Sequence, residues 1–291
     1  MSLPPAISIR GAVKRFGALT AVDGLDLEVP AGICFGLLGP NGAGKSTTMR
    51  MLTAQALPDE GSIEVLGFRL PQESKQARSQ MGVCPQLDNL DVELTARQTL
   101  EVFSRLYRVP RHERAAAIER ALDIANLAER SDTKVSELSG GMRRRLLIGR
   151  CLVHEPRLVL LDEPTVGLDP QVRQELWSLI DRLRTSGVTV LMSTHYIEEA
   201  ERLADVVAVM AAGRSPSARP PTSSPSTPGA RRSRSTGHPR GWPRPRRRWP
   251  ARASRRAAPA RPSPSCASTT AVAARLRVSA APPTWRTCSC S

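Results

Sequence analysis

The sequence feature that most constrains the fold is a glycine-rich segment that directly follows an apolar run. Residues 33–38 form a continuous apolar run, which is typical of a strand buried at the centre of a sheet. Residues 39–47 then fit the pattern of a glycine, four residues and Gly-Lys-Ser, and the composition of 47–52 suits a helix. This order predicts that main-chain N–H groups of the loop, together with the helix N-terminus, cradle phosphate groups.

Two side chains of this loop carry its predicted chemistry. Lys45 would reach the β- and γ-phosphates of a nucleotide, and the Ser46 hydroxyl would bind Mg²⁺. The glycines let the main-chain N–H groups point inward at the phosphates. The residues predicted to bind the nucleotide here are Gly39, Pro40, Asn41, Gly42, Ala43, Gly44, Lys45, Ser46 and Thr47.

A second apolar run ends in two adjacent acidic residues. Residues 158–161 have the pattern of a buried strand, and Asp162 and Glu163 follow at its C-terminal end, where open α/β sheets bind their ligands. Neighbouring side chains of an extended chain point in opposite directions. We therefore expect Asp162 to serve the metal ion and Glu163 to face the attacking water as a general base. A solvated strand end is the alternative interpretation of this pair.

A third motif opens a helix with bare glycine amides. Ser139, Gly140 and Gly141 precede an arginine-rich helical segment, and a helix N-terminus of this kind can hold an anion. Taken alone, the motif would be interpreted as a serine cap followed by flexible glycines. Together with the two motifs above, it favours an anion-binding function.

The order of the remaining patterns predicts the fold class. Apolar alternation in the first thirty residues indicates strands, three- and four-residue apolar spacing over 94–152 indicates helices, and strands alternate with helices again over 158–210. Strands separated by helices indicate a mainly parallel sheet. The predicted fold is α/β: a P-loop ATPase core with a mainly parallel sheet, an N-terminal antiparallel β subdomain, an inserted helical subdomain at about 88–152, and a disordered C-terminal tail.

Charge divides the chain into two predicted domains. Of the 42 Lys and Arg residues, 17 lie in 214–291, which contains no Asp, Glu or Lys, so 1–213 holds 25 basic and 27 acidic residues. Residues 1–213 are the predicted nucleotide-binding domain. Their charge balance excludes a basic domain that binds nucleic acid. The tail, 214–291, holds 14 of the 25 prolines and lacks apolar periodicity, so it cannot bury enough surface to offset the entropy lost on ordering.

Cysteine usage and the length of the apolar runs exclude further classes of protein. Cys34, Cys84 and Cys151 are scattered singly, and the tail cysteines have neither metal-ligand spacing nor histidine neighbours, so neither a disulfide framework nor a zinc site is indicated. No apolar stretch approaches the roughly 18 residues needed to span a bilayer. We expect a soluble chain, so that work at a membrane would need a separate subunit that spans it.

The motifs occur in the order and rough spacing of one known family. The chain resembles the ATP-binding cassette family of transporter ATPases over about 7–213. The resemblance rests on the phosphate loop, the Leu-Ser-Gly-Gly segment at 138–141, the Leu-Asp-Glu-Pro strand end at 161–164 and a histidine after the strand at 188–192. It implies ATP and Mg²⁺ as cofactors, and ATP hydrolysis coupled to transport as the activity.

The resemblance also assigns roles to individual residues. It implies that Phe16 stacks on adenine, that Gln86 contacts Mg²⁺ and senses the membrane subunit, and that His195 contacts the γ-phosphate. Asp169 would lie in a loop that crosses a dimer interface. Arg143 stands where the family usually has glutamine, and we expect the signature loop to survive this change. The predicted catalytic residues are Lys45, Gln86, Glu163 and His195, and the predicted metal ligands are Ser46, Gln86 and Asp162.

Members of this family work as head-to-tail pairs, which implies a homodimer. ATP on the phosphate loop of one subunit would be completed by Ser139, Gly140 and Gly141 of the other. Residues 83–97 resemble a segment of the lipo-oligosaccharide (nodulation-factor) and daunorubicin-type exporter ATPases that lies beside the membrane partner. We therefore expect an exporter subunit, held at the cytoplasmic face of the membrane by separate transmembrane permease subunits. The alternative is a soluble ATPase of this family that takes no part in transport.

Two interpretations of the tail remain open. An acid-free, Arg- and Pro-rich extension is typical of a disordered arm that binds nucleic acid or anionic lipid. The same composition arises when a GC-rich gene is translated in the wrong frame. Regrouping the codons of 215–224 by one base allows 213–224 to read Gly-Arg-Ile-Ala-x-Gly-Thr-Pro-Ala-Asp-Leu-Ile, which resembles the family's continuation after its last strand. This agreement favours a frameshift near codon 214.

We predict that DNA sequencing from codon 195 through the tail will show one inserted or deleted base near codon 214. The restored frame should then continue with residues that fit the string above. An intact frame would contradict this prediction, and the basic tail would then be a genuine translated segment whose binding to anionic partners can be measured directly.

Overall fold

The computed structural model describes residues 4–211 and the backbone of 214–219. The strands are β1 (Ile7–Phe16), β2 (Leu19–Val29), β3 (Cys34–Leu38), β4 (Glu60–Val65), β5 (Phe68–Leu70), β6 (Met81–Cys84), β7 (Leu158–Asp162), β8 (Thr189–Thr194), β9 (Val206–Ala211) and β10 (Arg214–Arg219). The α-helices are α1 (Lys45–Leu52), α2 (Ser74–Arg78), α3 (Ala96–Leu106), α4 (Arg114–Ala125), α5 (Gly140–Leu152), α6 (Pro170–Thr185) and α7 (Ile197–Leu203).

The N-terminal strands form a four-stranded antiparallel sheet in the order β2-β1-β4-β5. Along β2, Leu25, Leu27 and Val29 are buried whereas Asp26 and Glu28 are exposed, as expected for a strand with one face on the core. This sheet confirms the predicted antiparallel β subdomain. It also extends further along the chain than the sequence indicated, because β4 and β5 belong to it.

The second sheet is mainly parallel and has the strand order β10-β9-β3-β8-β7-β6. All neighbouring strands from β9 to β6 pair in parallel, whereas β10 pairs antiparallel with β9 at the edge. Leu38 pairs with Thr194 and Asp162 pairs with Ser193, so the carboxyl ends of β3, β7 and β8 lie side by side. Together with the first sheet, this arrangement confirms the predicted α/β fold class.

The two faces of the parallel sheet belong to different cores. On β7, Leu158 and Leu160 pack into a cluster that also contains buried residues of the antiparallel sheet and of α1. The alternate residues of the same strand, Val159 and Leu161, pack with α5 and α6 in a second cluster. A strand buried on both faces explains why the sequence of β7 is apolar without interruption.

Helices α3, α4 and α5 form the inserted helical region. Helix α3 begins with a reciprocal cap in which Thr95 accepts from the Gln98 N–H and the Gln98 side chain accepts from the Thr95 N–H. Leu100 of α3, Leu122 of α4 and Leu146 of α5 are buried together in a third core cluster. The predicted helical insertion is therefore confirmed, with its first helix beginning at Ala96.

The structure differs from the prediction at the start of the tail. Residues 214–219, assigned to a disordered segment, form β10 and pair with β9 through the main chain. An edge strand of this kind needs only main-chain hydrogen bonds, so a composition without apolar periodicity does not prevent it. Residues 220–291, the rest of the predicted tail, lie outside the described residues.

Two predicted absences can be compared with the described residues. No helix within 4–211 is long and apolar enough to cross a bilayer. Cys34, Cys84 and Cys151 are buried and not joined in disulfides. The tail cysteines fall outside the part of the chain that the structure describes.

Candidate functional site

The glycine-rich loop connects the carboxyl end of β3 to the N-terminus of α1. Gly44 has φ +92°, and a Cβ atom there would lie 2.4 Å from the Ala21 carbonyl oxygen, so only glycine fits without strain. A Cβ atom at Gly39 would lie 2.4 Å from the carbonyl oxygen of Met210. The loop therefore packs closely against the main chain of β2 and β9 just before α1 begins.

Lys45 is the first residue of α1, and only 4% of it is exposed. Its ammonium group donates to the carbonyl oxygens of Gly39 (2.8 Å) and Pro40 (3.1 Å). The same ammonium lies 3.2 Å from Oε1 of Glu163. A cation this deeply buried must be paired, and here the loop carbonyls and one carboxylate share that task.

Asp162 ends β7 beside the loop. Its Oδ1 atom accepts from the Ser46 hydroxyl at 3.2 Å and from the Ser193 hydroxyl at 2.5 Å. Hydroxyl and carboxylate oxygens are ligands that Mg²⁺ prefers, and Mg²⁺ is commonly held by one carboxylate together with substrate phosphates. No cluster of three or more His, Cys, Asp or Glu side chains occurs within the described residues, and such a magnesium site needs none.

Glu163 stands at the centre of the predicted catalytic residues. Oε1 faces Lys45, while Oε2 accepts from the Gln86 amide at 3.4 Å and lies 3.3 Å from Nδ1 of His195. Its main-chain N–H is bound by the carbonyl oxygen (3.2 Å) and the hydroxyl (3.0 Å) of Ser193. The structure therefore brings Lys45, Gln86, Glu163 and His195 together, although they come from four separate segments.

The backbone of Glu163 adopts φ +46°, in the left-handed region that non-glycine residues avoid. Such a conformation costs on the order of 1–3 kcal/mol and persists only where the surroundings impose it. The bonds to Ser193 and the contacts of the side chain supply that constraint. Asp162 and Glu163 contact different partners, but not through the alternation predicted for an extended chain, because β7 ends at Asp162 and Glu163 has left-handed backbone.

The other predicted binding residues lie apart from this cluster. Ser139 caps α5 by accepting from the Met142 N–H at 3.2 Å, and Ser139 and Gly140 are exposed. Asp169 is exposed at the N-terminus of α6. Among the described residues, no hydrogen bond or ion pair joins these side chains to the phosphate loop. Their groups face outward, where a second molecule can reach them.

Phe16 is the last residue of β1, and 49% of it is exposed. The Lys14 ammonium lies 5.3 Å from its ring centroid. An exposed ring at a strand end has a free face for stacking, so it is not a core residue. Arg143 donates to the Leu138 carbonyl at 3.1 Å and approaches Asp88, and the signature loop keeps its serine cap.

Two cysteines lie behind the loop that carries Gln86. Cys84 ends β6 two residues before Gln86, and Cys151 on α5 donates to the Val83 carbonyl at 2.9 Å. The neighbouring Cys151 thiol lowers the pKa of Cys84, whereas burial raises the pKa of Cys151. The pair forms part of the packing that supports the Gln86 loop.

Sequence reasoning missed three residues that shape the site: Arg144, Ser193 and Glu199. Arg144 donates to main-chain carbonyl oxygens of Pro85, Gln86 and Glu163. Glu199 on α7 is buried and accepts from Thr165 (2.8 Å), Trp177 (3.3 Å) and Thr194 (2.5 Å). The sequence holds no local signal for these contacts, since each depends on segments that meet only in the folded chain.

The fold and the site together define a P-loop nucleotide-binding domain. A family model described as ABC transporter matches residues 22–166. A Nod factor export ATP-binding protein I from Ralstonia nicotianae is 45% identical over 210 residues, or 72% of this chain and 65% of the relative. Another from Burkholderia orbicola is 47% identical over 214 residues, or 74% of this chain and 70% of the relative. The chain therefore belongs to the ABC transporter family.

Solved structures give the same result for the fold. An ATP-binding subunit of an ABC transporter has a TM-score of 0.67 at 27% identity, covering 74% of this chain and 90% of that one. An ATP-binding cassette in a dimeric, post-hydrolysis state bound to ADP and Pi has a TM-score of 0.66 at 25% identity, covering 74% and 98%. These structures place the described residues among the ATPase domains of the family.

The chain covers only part of some relatives. It spans 65% of the Ralstonia nicotianae protein and 62% of a Rhizobium meliloti protein of the same name, which is 47% identical over 208 residues and matches 72% of this chain. The matched segments are about as long as the predicted domain 1–213.

We predict that Glu199→Gln will destabilise the chain by about 1–3 kcal/mol, because the NH2 group of the amide would turn a donor toward buried donors that now bind a carboxylate oxygen. Glu198→Gln is the matched control, since Glu198 is exposed on the same helix. Urea unfolding followed by Trp177 fluorescence, on chains ending before the tail tryptophans, would measure the difference. Equal unfolding midpoints for the two variants would contradict the structural role of Glu199.

Proposed function

We propose that this chain is the ATP-hydrolysing subunit of an exporter and that it works with separate membrane-spanning subunits. The observation that carries the proposal is the convergence of Lys45, Gln86, Glu163 and His195 beside the Ser46–Asp162 pair. The closeness of the glycine-rich loop, the Ser46–Asp162 pair and the Glu163 carboxylate supports their proposed roles as phosphate-binding loop, metal ligands and general base. Those are the parts that in-line phosphoryl transfer to water requires.

The phosphate loop would bind the nucleotide through its main-chain N–H groups and the N-terminus of α1. Lys45 would neutralise the β- and γ-phosphates, and the exposed face of Phe16 would stack on adenine. Ser46, Asp162 and Gln86 would hold Mg²⁺. When bound, Mg²⁺ supplies charge neutralisation on the phosphate oxygens.

Glu163 would orient and deprotonate the attacking water, and its position at the end of β7 supports that role. His195 would contact the γ-phosphate, and its closeness to Glu163 supports placing both at the same phosphate. Gln86 would report the state of this site to the membrane subunit. The buried surroundings of Lys45 and Glu163 exclude most water, which strengthens their electrostatic effect.

A head-to-tail homodimer would complete each site. Ser139 and Gly140 are exposed at the N-terminus of α5, where they and Gly141 would bind the γ-phosphate held by a second copy. Asp169 would cross the interface. The similarity to a cassette solved in a dimeric state bound to ADP and Pi supports this assembly.

The exporter assignment rests on the surface beside Gln86 and on the relatives. Leu87 and Val92 are exposed apolar residues that follow Gln86 closely in the chain. Such residues suit contact with a protein partner. Relatives that are 45–47% identical are named as Nod factor export ATP-binding proteins. We propose a lipo-oligosaccharide, a drug or a similar amphipathic molecule as the cargo, and a peripheral position at the cytoplasmic face of the membrane.

We predict that Glu163→Gln will reduce ATP turnover by at least about 100-fold while ATP binding is retained. An ATP-bound dimer should then accumulate and be detectable by light scattering. Lys45→Ala should instead weaken nucleotide binding, because the phosphates lose their cation. Glu198→Gln serves as a control for the loss of one surface charge. Turnover by Glu163→Gln at the wild-type rate would refute the role of the carboxylate.

We predict that Leu87→Asp will lower the fraction of the chain recovered with membranes of its own cells, because a charge would have to be buried at the partner interface. Leu57→Asp is the matched control, since Leu57 is a half-exposed leucine after α1, away from the Gln86 loop. Wild-type chain found only in the soluble fraction would instead favour an ATPase that takes no part in transport.

A further inference from the structure

Arg144 differs from the two arginines that flank it on α5. Arg143 reaches the Leu138 carbonyl and Asp88, and Arg145 pairs with Glu175. Arg144 instead turns into the protein and is only 8% exposed. It lies three residues after Gly141, so it belongs to the first turns of the helix that begins at the signature segment 138–141.

All five N–H donors of Arg144 are used, and each binds a main-chain carbonyl oxygen. Nε donates to Pro164 at 2.8 Å. Nη1 donates to Pro85 (2.7 Å) and Gln86 (3.2 Å). Nη2 donates to Asp162 (3.1 Å) and Glu163 (3.0 Å). One guanidinium therefore joins the Gln86 loop to the end of β7.

Only arginine can make this set of contacts. Its guanidinium carries five donors in one rigid plane, whereas a lysine ammonium has three donors on a single atom. A lysine at this position would leave at least two of the five carbonyl oxygens without this partner. Because these bonds are to the main chain, Arg144 restrains the backbone positions of Gln86 and Glu163 and does not contact their side chains.

We propose that Arg144 is a positioning residue that sets the separation between Gln86 and Glu163, and that links both of them to the signature helix. A displacement of the Gln86 loop must break its bonds to Nη1 or carry Arg144 along. In the second case Nη2 transmits the movement to the main chain of Asp162 and Glu163. The side chain thus joins the three segments that would meet the membrane subunit, the metal-bound ATP and the partner's ATP.

This inference rests on the roles proposed for Gln86 and Glu163. Arg144 acts through them, because its donors are all occupied by protein carbonyls and none is left for a nucleotide. Its replacement should therefore affect the rate of turnover more than the binding of ATP. A residue that served only the packing of α5 would not produce that split.

The test compares Arg144→Lys with Arg150→Lys in the full chain. Arg150 is the matched control because it lies on the same helix, is only 4% exposed and places its guanidinium 4.5 Å from the Phe103 ring centroid, not on the Gln86 loop. We expect Arg144→Lys to lower kcat by at least about tenfold with KM for ATP changed less than about twofold, since small misplacements of reacting groups slow chemistry strongly. Arg150→Lys should not separate kcat from KM in this way.

Hydrogen–deuterium exchange gives a second readout that does not depend on turnover. Amides of 85–91 should exchange faster in Arg144→Lys than in wild type and in Arg150→Lys. Unchanged exchange in this peptide, or a kcat within twofold of wild type, would overturn the proposal. If Arg144→Lys does not fold, Arg144→Gln, which keeps two donors without burying a charge, takes its place in both measurements.

A double-mutant cycle with Gln86→Ala tests whether Arg144 acts through the Gln86 loop. If it does, the loss of kcat in the double variant will be smaller than the product of the two single losses. A loss equal to that product would overturn the link. Failure of the proposed function is distinguishable, because it would appear as normal turnover in Glu163→Gln while the exchange of 85–91 still reports on Arg144.

Discussion

The parallel register of β3, β7 and β8 is the constraint on which the site depends. Main-chain pairing of Leu38 with Thr194, and of Asp162 with Ser193, brings the phosphate loop, the acidic pair and the segment before His195 to one edge of the sheet. Residues that lie more than a hundred positions apart in the chain become neighbours through this ladder alone. The functional side chains then need only short local turns to meet.

The charged groups of the site are also satisfied by polar partners from the protein itself. Lys45 is matched by two carbonyl oxygens and Glu163, Asp162 by two hydroxyls, and Arg144 by five carbonyl oxygens. Because an unpaired buried ion is very unfavourable, each of these groups restricts the positions of its partners. The result is a set of polar groups held in place before any nucleotide arrives.

Much of the fold class could be predicted from short-range patterns, whereas the roles of Gln86 and His195 were implied only by the family resemblance. The phosphate loop and the Asp162–Glu163 pair follow apolar strands, so their place at the edge of a sheet followed from spacing. Arg144 could not be separated from Arg143 and Arg145, nor Glu199 from Glu198, because only tertiary neighbours distinguish them. The strands β4 to β6 are too short to show a clear alternation of apolar and polar residues, so the sequence did not predict them. Strand β10 depends on main-chain pairing with β9, which leaves no pattern in the sequence.

The contacts of Glu163 have a consequence for the order of events in the catalytic cycle. One carboxylate oxygen faces Lys45 and the other faces Gln86 and His195, so both oxygens already have polar neighbours. A γ-phosphate bound by Lys45 and His195, as proposed above, would compete with Glu163 for both of these partners. Binding of the substrate would then release the general base. Without a nucleotide, Glu163 would stay paired with protein groups and would not activate water.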